Sequence, residues 1–315
     1  MQLLSMRWGV SFGQFTLMGT LTPDLLEKVF ATSADMAAMP AHPEAELKLA
    51  APCSLYDPNL PPTPISFLDR DGNTWIGVGT RVVSNTPNPA LVEALFRHKA
   101  HAEFGDEWTK GKGIKKRLAR MRKEARLELA IQTPFRMSEA GALFVCLSSG
   151  ALVSIGHGGI TIAKDMVGRA KELHRVAFRL VDKTNQQKAL AILQQQDADI
   201  TPWPTGTAAL RRRRGDVTET CSVRRLKWSK DSQDAADLLL TNWKPEKIEL
   251  QFADSSVCAA DLTGGIASMR WTGTIRDADP SPVIEARLSS LLVKDAAVRD
   301  LFVKATGDQP LPMEG

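Results

Sequence analysis

Apolar positions along this chain recur at two spacings, and the switches between them mark out its elements. Residues 9–19, GVSFGQFTLMG, read as a strand. Thr22 then has the side chain of a helix N-cap, Pro23 suits the first helical position, and Asp24 suits the positive end of the helix dipole. Leu25, Leu26, Val29 and Phe30 give that helix its buried side. Residues 40–64 are proline-rich and predict a long irregular connection. A hairpin is expected over 65–79, turning at Asp71-Gly72. Asn88-Pro89 opens a second helix with Leu91, Val92, Leu95 and Phe96 inside, and Gly105 ends it. After Gly111 and Gly113, the residues Ile114, Leu118, Met121, Ala125 and Leu129 recur at steps of four, three, four and four. That spacing makes one apolar stripe on a third helix. The last two helices predict a helical hairpin over 88–131, set between strands.

Residues 142–156 read as another hairpin, turning at Ser148-Ser149-Gly150. A helix follows with Ile162, Met166, Val167, Ala170 and Leu173 on one face, then a half-exposed strand over 175–182. Residues 194–214 read as irregular and polar, near a domain boundary. A basic strand-like run, CSVRRLKW, leads to a short helix over 231–240 and a three-stranded meander over 248–271. Ser281-Pro282 caps a final helix carrying Ile284, Leu288, Leu291 and Leu292, continuing through Val298 and Phe302. No repeat of solenoid period is visible. The order predicts an α+β fold with mostly antiparallel sheets and an inserted helical hairpin. It divides into a central domain from 1–84 and 132–182, the hairpin at 85–131, and a C-terminal α+β domain at 183–315.

Composition narrows the function classes. The net charge is only +4 over 315 residues, but the basic residues are clustered. Segment 110–126, KGKGIKKRLARMRKEAR, holds nine basic residues and one acid, Glu124. On the predicted helix Lys112, Lys116, Arg120 and Lys123 run down one side, with Lys110, Lys115, Arg117, Arg122 and Arg126 nearby. A rigid row of cations suits a polyphosphate backbone, because docking releases condensed counterions. Two further clusters are Arg211, Arg212, Arg213 and Arg214, read as a mobile phosphate-gripping loop, and Arg224, Arg225 and Lys227 on a strand. Strand alternation would send Arg224 and Arg225 to opposite sides. Trp228 fits the core better than a base-stacking role. With Tyr56 the single tyrosine, aromatic platforms for single strands are sparse, which favours duplex backbone contact.

Other chemistry is thin. No run of eighteen apolar residues is present, so no transmembrane helix is expected, and MQLLSMRWGV is poorly shaped for a signal peptide. Cys53, Cys146, Cys221 and Cys258 are scattered without a CxxC pair, so neither a zinc site nor a disulfide scaffold is indicated. Cys146 and Cys258 read as buried thiols, and this usage fits a reducing cytoplasm. Gly156-His157-Gly158-Gly159 reads as a tight turn, with an anion site at the following helix as the alternative. His98 and His101 lie three apart without an obvious third metal ligand. Pro23-Asp24 with Glu46-Leu47-Lys48 imitates the metal-nuclease pattern PD-(D/E)xK, which keeps a metal-dependent exonuclease as the alternative function. Asp69 and Asp71 are better explained by turn chemistry. No catalytic set, cofactor or resident metal is assigned.

Four stretches, taken together, resemble the recombination-associated protein RdgC family. RVVSNTPNPALVEALFRHKAHAEF is similar to its run from a basic-ended strand into a proline-started helix, and IKKRLARMRKEARLELAIQTPF to its long basic helix. ALFVCLSSGALVSIGHGGITIAKDMVGRAKEL resembles its strand, glycine turn, strand and helix. VRRLKWSKDSQDAADLLLTNWKPEKIELQFADSSVCAADLTGGIASMRW resembles its basic strand, short helix and closing meander. The resemblance implies a homodimer closed into a ring around DNA, with the helical hairpin as one contact and the C-terminal domain as the other. It also implies sequence-independent binding in the nucleoid that limits loading of a RecA-type recombinase, with no enzymatic activity.

Overall fold

A computed structural model describes residues 2–36, 45–110, 113–196, 198–229, 231–272 and 281–305. One strand ties it together. The first residues of β1 (Arg7–Leu17) pair with β12 (Ile266–Arg270), while the rest pairs with β6 (Ala151–Gly156) on one edge and β7 (Leu173–Phe178) on the other. β1 therefore belongs to two sheet regions at once. On its central side lie β2 (Lys48–Cys53), β3 (Ile65–Leu68), β4 (Thr74–Ser84) and β5 (Arg136–Cys146). On the other lie β8 (Trp203–Arg214), β9 (Val217–Val223), β10 (Lys244–Gln251) and β11 (Val257–Asp261). Among the described residues, twelve strands form one sheet in the order β2-β4-β5-β6-β1-β12-β11-β10-β8-β9, with β3 beside β4 and β7 beside β1. The pairings are antiparallel. With seven α-helices among the described residues, the class is α+β.

Two cores flank this sheet. α1 (Pro23–Met36) and α4 (Gly159–Arg169) cover one face of the central strands, burying Leu26, Phe30, Ile162 and Met166 against Val78, Leu143 and Leu152. Thr22 caps α1 as its side chain predicts, its Oγ1 accepting from the Leu25 amide at 3.2 Å. The second core joins Phe144, Val153 and Ile155 with the inward residues of β8 and β10–β12. It is closed by α5 (Asn185–Leu193) and by Ile284, Leu288, Leu291, Val298 and Phe302 of α7 (Ser281–Lys304). α6 (Gln233–Leu240) is capped by Ser232, whose Oγ accepts from the Ala235 amide.

Several expectations are corrected. The connection at 40–64 contains β2, and Pro52 is tolerated in it because β2 closes the sheet path and need not donate on both sides. The stretch 194–214 is largely β8, whose inward positions are Pro204, Gly206, Ala208 and Leu210, so small residues hide the alternation. The run at 221–228 leaves the strand at Val223. α4 stops at Arg169, so Leu173 is buried from a strand and not from a helix. α5 is an addition to the expected elements. In α2 (Pro89–Phe104) Leu91 is 58% exposed, because the inward stripe is Phe96 and Ala100, one turn further on.

Candidate nucleic-acid interface

The helical hairpin is built by local signals. The Asn88 side chain accepts from the Ala90 amide at 2.9 Å, and Gly105 ends α2 at a positive φ of 57°. α3 (Lys115–Gln132) then returns along α2. Met121 and Ala125 bury against Phe96 and Ala100, with Leu118 packed beside them and Trp108 set edge-on to Phe96 at 5.9 Å. Ile114 and Leu129 are half-buried, so the apolar stripe is real but narrow.

The cations of α3 divide into two groups. The arginines have acidic partners: Arg117 makes a two-pronged pair with Glu103 at 2.9 and 3.0 Å, and Arg126 another with Glu46 at 2.6 and 2.8 Å. Arg122 bonds Glu93 at 3.0 Å and lies 4.5 Å over the Phe96 ring, while Arg120 bonds Glu124 on its own helix at 2.8 Å. The Arg126 bond holds the Glu46 carboxyl below its usual range, and the Arg117 bond does the same for Glu103. Arg117, Arg122 and Arg126 thus fasten α3 to its surroundings, while the Arg120 pair lies within the helix. Lys115, Lys116 and Lys123 are exposed, and no acid pairs with them among the described residues. Lys112 lies outside the described residues, as does the side chain of Lys110.

The arginine run is not a loop. It forms the last four residues of β8, paired with Val217–Thr220 of β9. Alternation separates the neighbours. Arg211 pairs with Glu246 at 3.0 Å; Arg212 pairs with Glu219 at 2.5 Å and lies 4.5 Å over Trp243. Arg213 donates from Nε to the Gly215 carbonyl, and Arg214 is exposed. The repulsion expected of four adjacent arginines is thus relieved by strand geometry.

Beyond Val223 the chain folds back over β8. The Leu226 amide donates to the Gly206 carbonyl at 3.0 Å, Arg225 takes a positive φ of 51°, and its amide meets Thr207 Oγ1. Gly206 itself has φ +78°, and a Cβ there would strike the Leu226 carbonyl. Trp228 is 1% exposed and donates from Nε1 to the Gly206 carbonyl, so it is core and unable to stack on a base. Because the segment is no longer a strand, Arg224 and Arg225 do not diverge. Both line one open groove of about 520 Å³ on the outer face of the C-terminal strands. Lys227 is exposed but does not line it.

That groove contains cations missed at the sequence level: Arg7 of β1, Lys247 of β10 and Arg270 of β12. They lie far apart in the chain and meet only through strand register. Their one signal was position: each occupies an outward-facing slot in its strand.

The remaining candidates resolve into structure. In the turn before α4, Gly158 has φ +88° and the His157 carbonyl accepts from Thr80 Oγ1 at 2.5 Å, which ties the turn to β4. Asp69 accepts from the Asp71 and Asn73 amides and from Trp75 Nε1, each at 2.9 Å, and so organises the β3–β4 turn. His98 and His101 are exposed, and His101 lies 3.3 Å from Asp106. In the nuclease-like pattern Asp24 begins a helix, while Glu46 is committed to Arg126. Among the described residues no group of three or more His, Cys, Asp or Glu is placed to hold a metal ion. Nor is any helix among them long and apolar enough to cross a membrane. The four cysteines are free thiols; Cys53, Cys146 and Cys258 are buried.

Compared with protein-family models and with curated proteins, the chain matches none.

Proposed function

We propose that this chain is a non-catalytic, sequence-independent DNA-binding protein of the RdgC type. It holds mainly duplex DNA by the phosphate backbone and modulates recombination. The observation that carries the reading is the split on α3: its arginines are spent on Glu46, Glu93, Glu103 and Glu124, which fixes the helix, while Lys115, Lys116 and Lys123 stay exposed with no acidic partner among the described residues. Cations held on a rigid scaffold lose little backbone freedom on docking, and each phosphate they neutralise releases counterions. In this reading Arg214 and the groove on the C-terminal strands extend the contact, and a homodimeric ring in the nucleoid encircles the duplex. A RecA-type recombinase is affected indirectly, by competition for DNA. Titrating unrelated duplex sequences at several salt concentrations tests this. Affinity should be alike for all sequences and should fall steeply with salt; strong preference for one sequence would overturn it.

A further inference from the structure

The groove on the outer face of the C-terminal strands is a binding surface separate from α3. We infer that it takes a sugar–phosphate backbone and makes no use of the bases, an inference that rests on the DNA-binding reading above. Five cations line it: Arg7, Lys247 and Arg270 from three strands, and Arg224 and Arg225 from the segment folded back over β8. All five are exposed. One carboxylate, Glu249, is among the lining groups, and it is already shared: Oε1 accepts from Thr205 at 2.9 Å and Oε2 lies 3.9 Å from Arg270. Asp261, opposite Lys247 in the β10–β11 register, accepts from the Thr263 amide and hydroxyl. Both carboxylates keep their charge, and among the described residues the five lining cations outnumber these two acids, which leaves the groove net positive.

The floor between the cations explains what fits. It is made of small side chains, Thr207, Ala209, Ser222, Ala259 and Ser268, which let a bulky chain lie close to the sheet. No aromatic side chain lines it among the described residues, so bases find no stacking platform. From β9 to β1 the path crosses six strands, a width of roughly 24 Å at about 4.8 Å per strand. At one charge per about 1.7 Å with both strands counted, a duplex laid across it carries on the order of 14 phosphates over that length, and those on its near side face the cations. Arginine forks and the Lys247 ammonium can bind phosphate oxygens without reading sequence.

The experiment compares the unchanged chain with three variants. One carries Lys247→Gln and Arg270→Gln, a second carries Lys115→Gln, Lys116→Gln and Lys123→Gln, and the third carries Ser268→Glu. Each is titrated with labelled duplex over a range of salt, with melting curves checking the fold. The groove variant should reduce the slope of log affinity against log salt by about 0.9 for each phosphate it no longer neutralises. Ser268→Glu, which sets a negative charge on the floor, should weaken binding in the same direction. An abasic strand should compete about as well as a base-bearing strand of equal length. If the unchanged chain binds and the α3 variant lowers the slope while both groove variants do not, the groove does not touch DNA and the DNA-binding reading stands on α3 alone. If the base-bearing strand competes more than about tenfold better, backbone-only binding is wrong. If the unchanged chain binds no DNA, both readings fail.

Discussion

Arg7 and Arg270 stand directly opposite each other in the antiparallel pairing of β1 and β12. Like charges in that position repel across a gap of about 5 Å between Cβ atoms. Among the described residues the one acid in ion-pair range of either is Glu249, loosely placed 3.9 Å from Arg270. Such a pair weakens the free protein slightly and is relieved when an anion settles over it. Replacing Arg7 by Gln should therefore stabilise the free chain by about 0.5 kcal/mol while weakening duplex binding. Thermal melting with and without DNA checks both halves. A variant that melts lower and binds equally well would show that the pair has a purely structural role.

The ion pairs of α3 predict a pH dependence. Glu46 and Glu103 have carboxyls held below their usual range by Arg126 and Arg117. Their folded-state pKa values are depressed, so their stabilisation is present above the unfolded carboxylate pKa and fades as pH falls through the folded value. Amide exchange in α3 should therefore accelerate below about pH 4.5, relative to α7, and Glu46→Gln should bring part of that loosening to neutral pH. Exchange in α3 that ignores both changes would mean these pairs do not anchor the helix.

Phe96 is the centre of the hairpin core, 3% exposed and in contact with Trp108 and the Arg122 guanidinium. Phe96→Ala should cost about 3 kcal/mol, felt mainly in the hairpin. Hydrogen exchange should show weaker protection in α2 and α3 before the C-terminal strands change. DNA affinity should fall with it, because Lys115, Lys116 and Lys123 lose their fixed spacing.

Burial pushes the Cys53 thiol up to about 11 and the Cys258 thiol up to about 12. Both should resist alkylation in the native chain at pH 8 and react only after unfolding. Mass spectrometry of iodoacetamide-treated protein, native against denatured, reads this directly. Rapid native labelling of Cys258 would contradict its placement inside the C-terminal core.

Elements with their own punctuation are legible from sequence. Asn88, Pro89 and Gly105 delimit α2, and the Ile114-to-Leu129 spacing marks α3. β8 is not, because Pro204, Gly206 and Ala208 fill the inward positions where large apolar residues would reveal a strand. The candidate site is half legible. A run such as 110–126 announces its charge, but the acids that occupy its arginines come from other segments, Glu46 lying eighty residues from Arg126. The groove cations Arg7, Lys247 and Arg270 are isolated in sequence, and only strand register assembles them. Arg224 and Arg225 would take opposite faces only on a continuing strand, and the positive φ at Arg225 removes that condition.

The most direct measurement is the dependence of duplex affinity on salt. If Lys115, Lys116 and Lys123 together with the five groove cations each meet a phosphate, log affinity should fall against log salt with a slope of magnitude about 7, the same for unrelated sequences. A curve that stays flat between low and moderate salt would contradict binding by these cations.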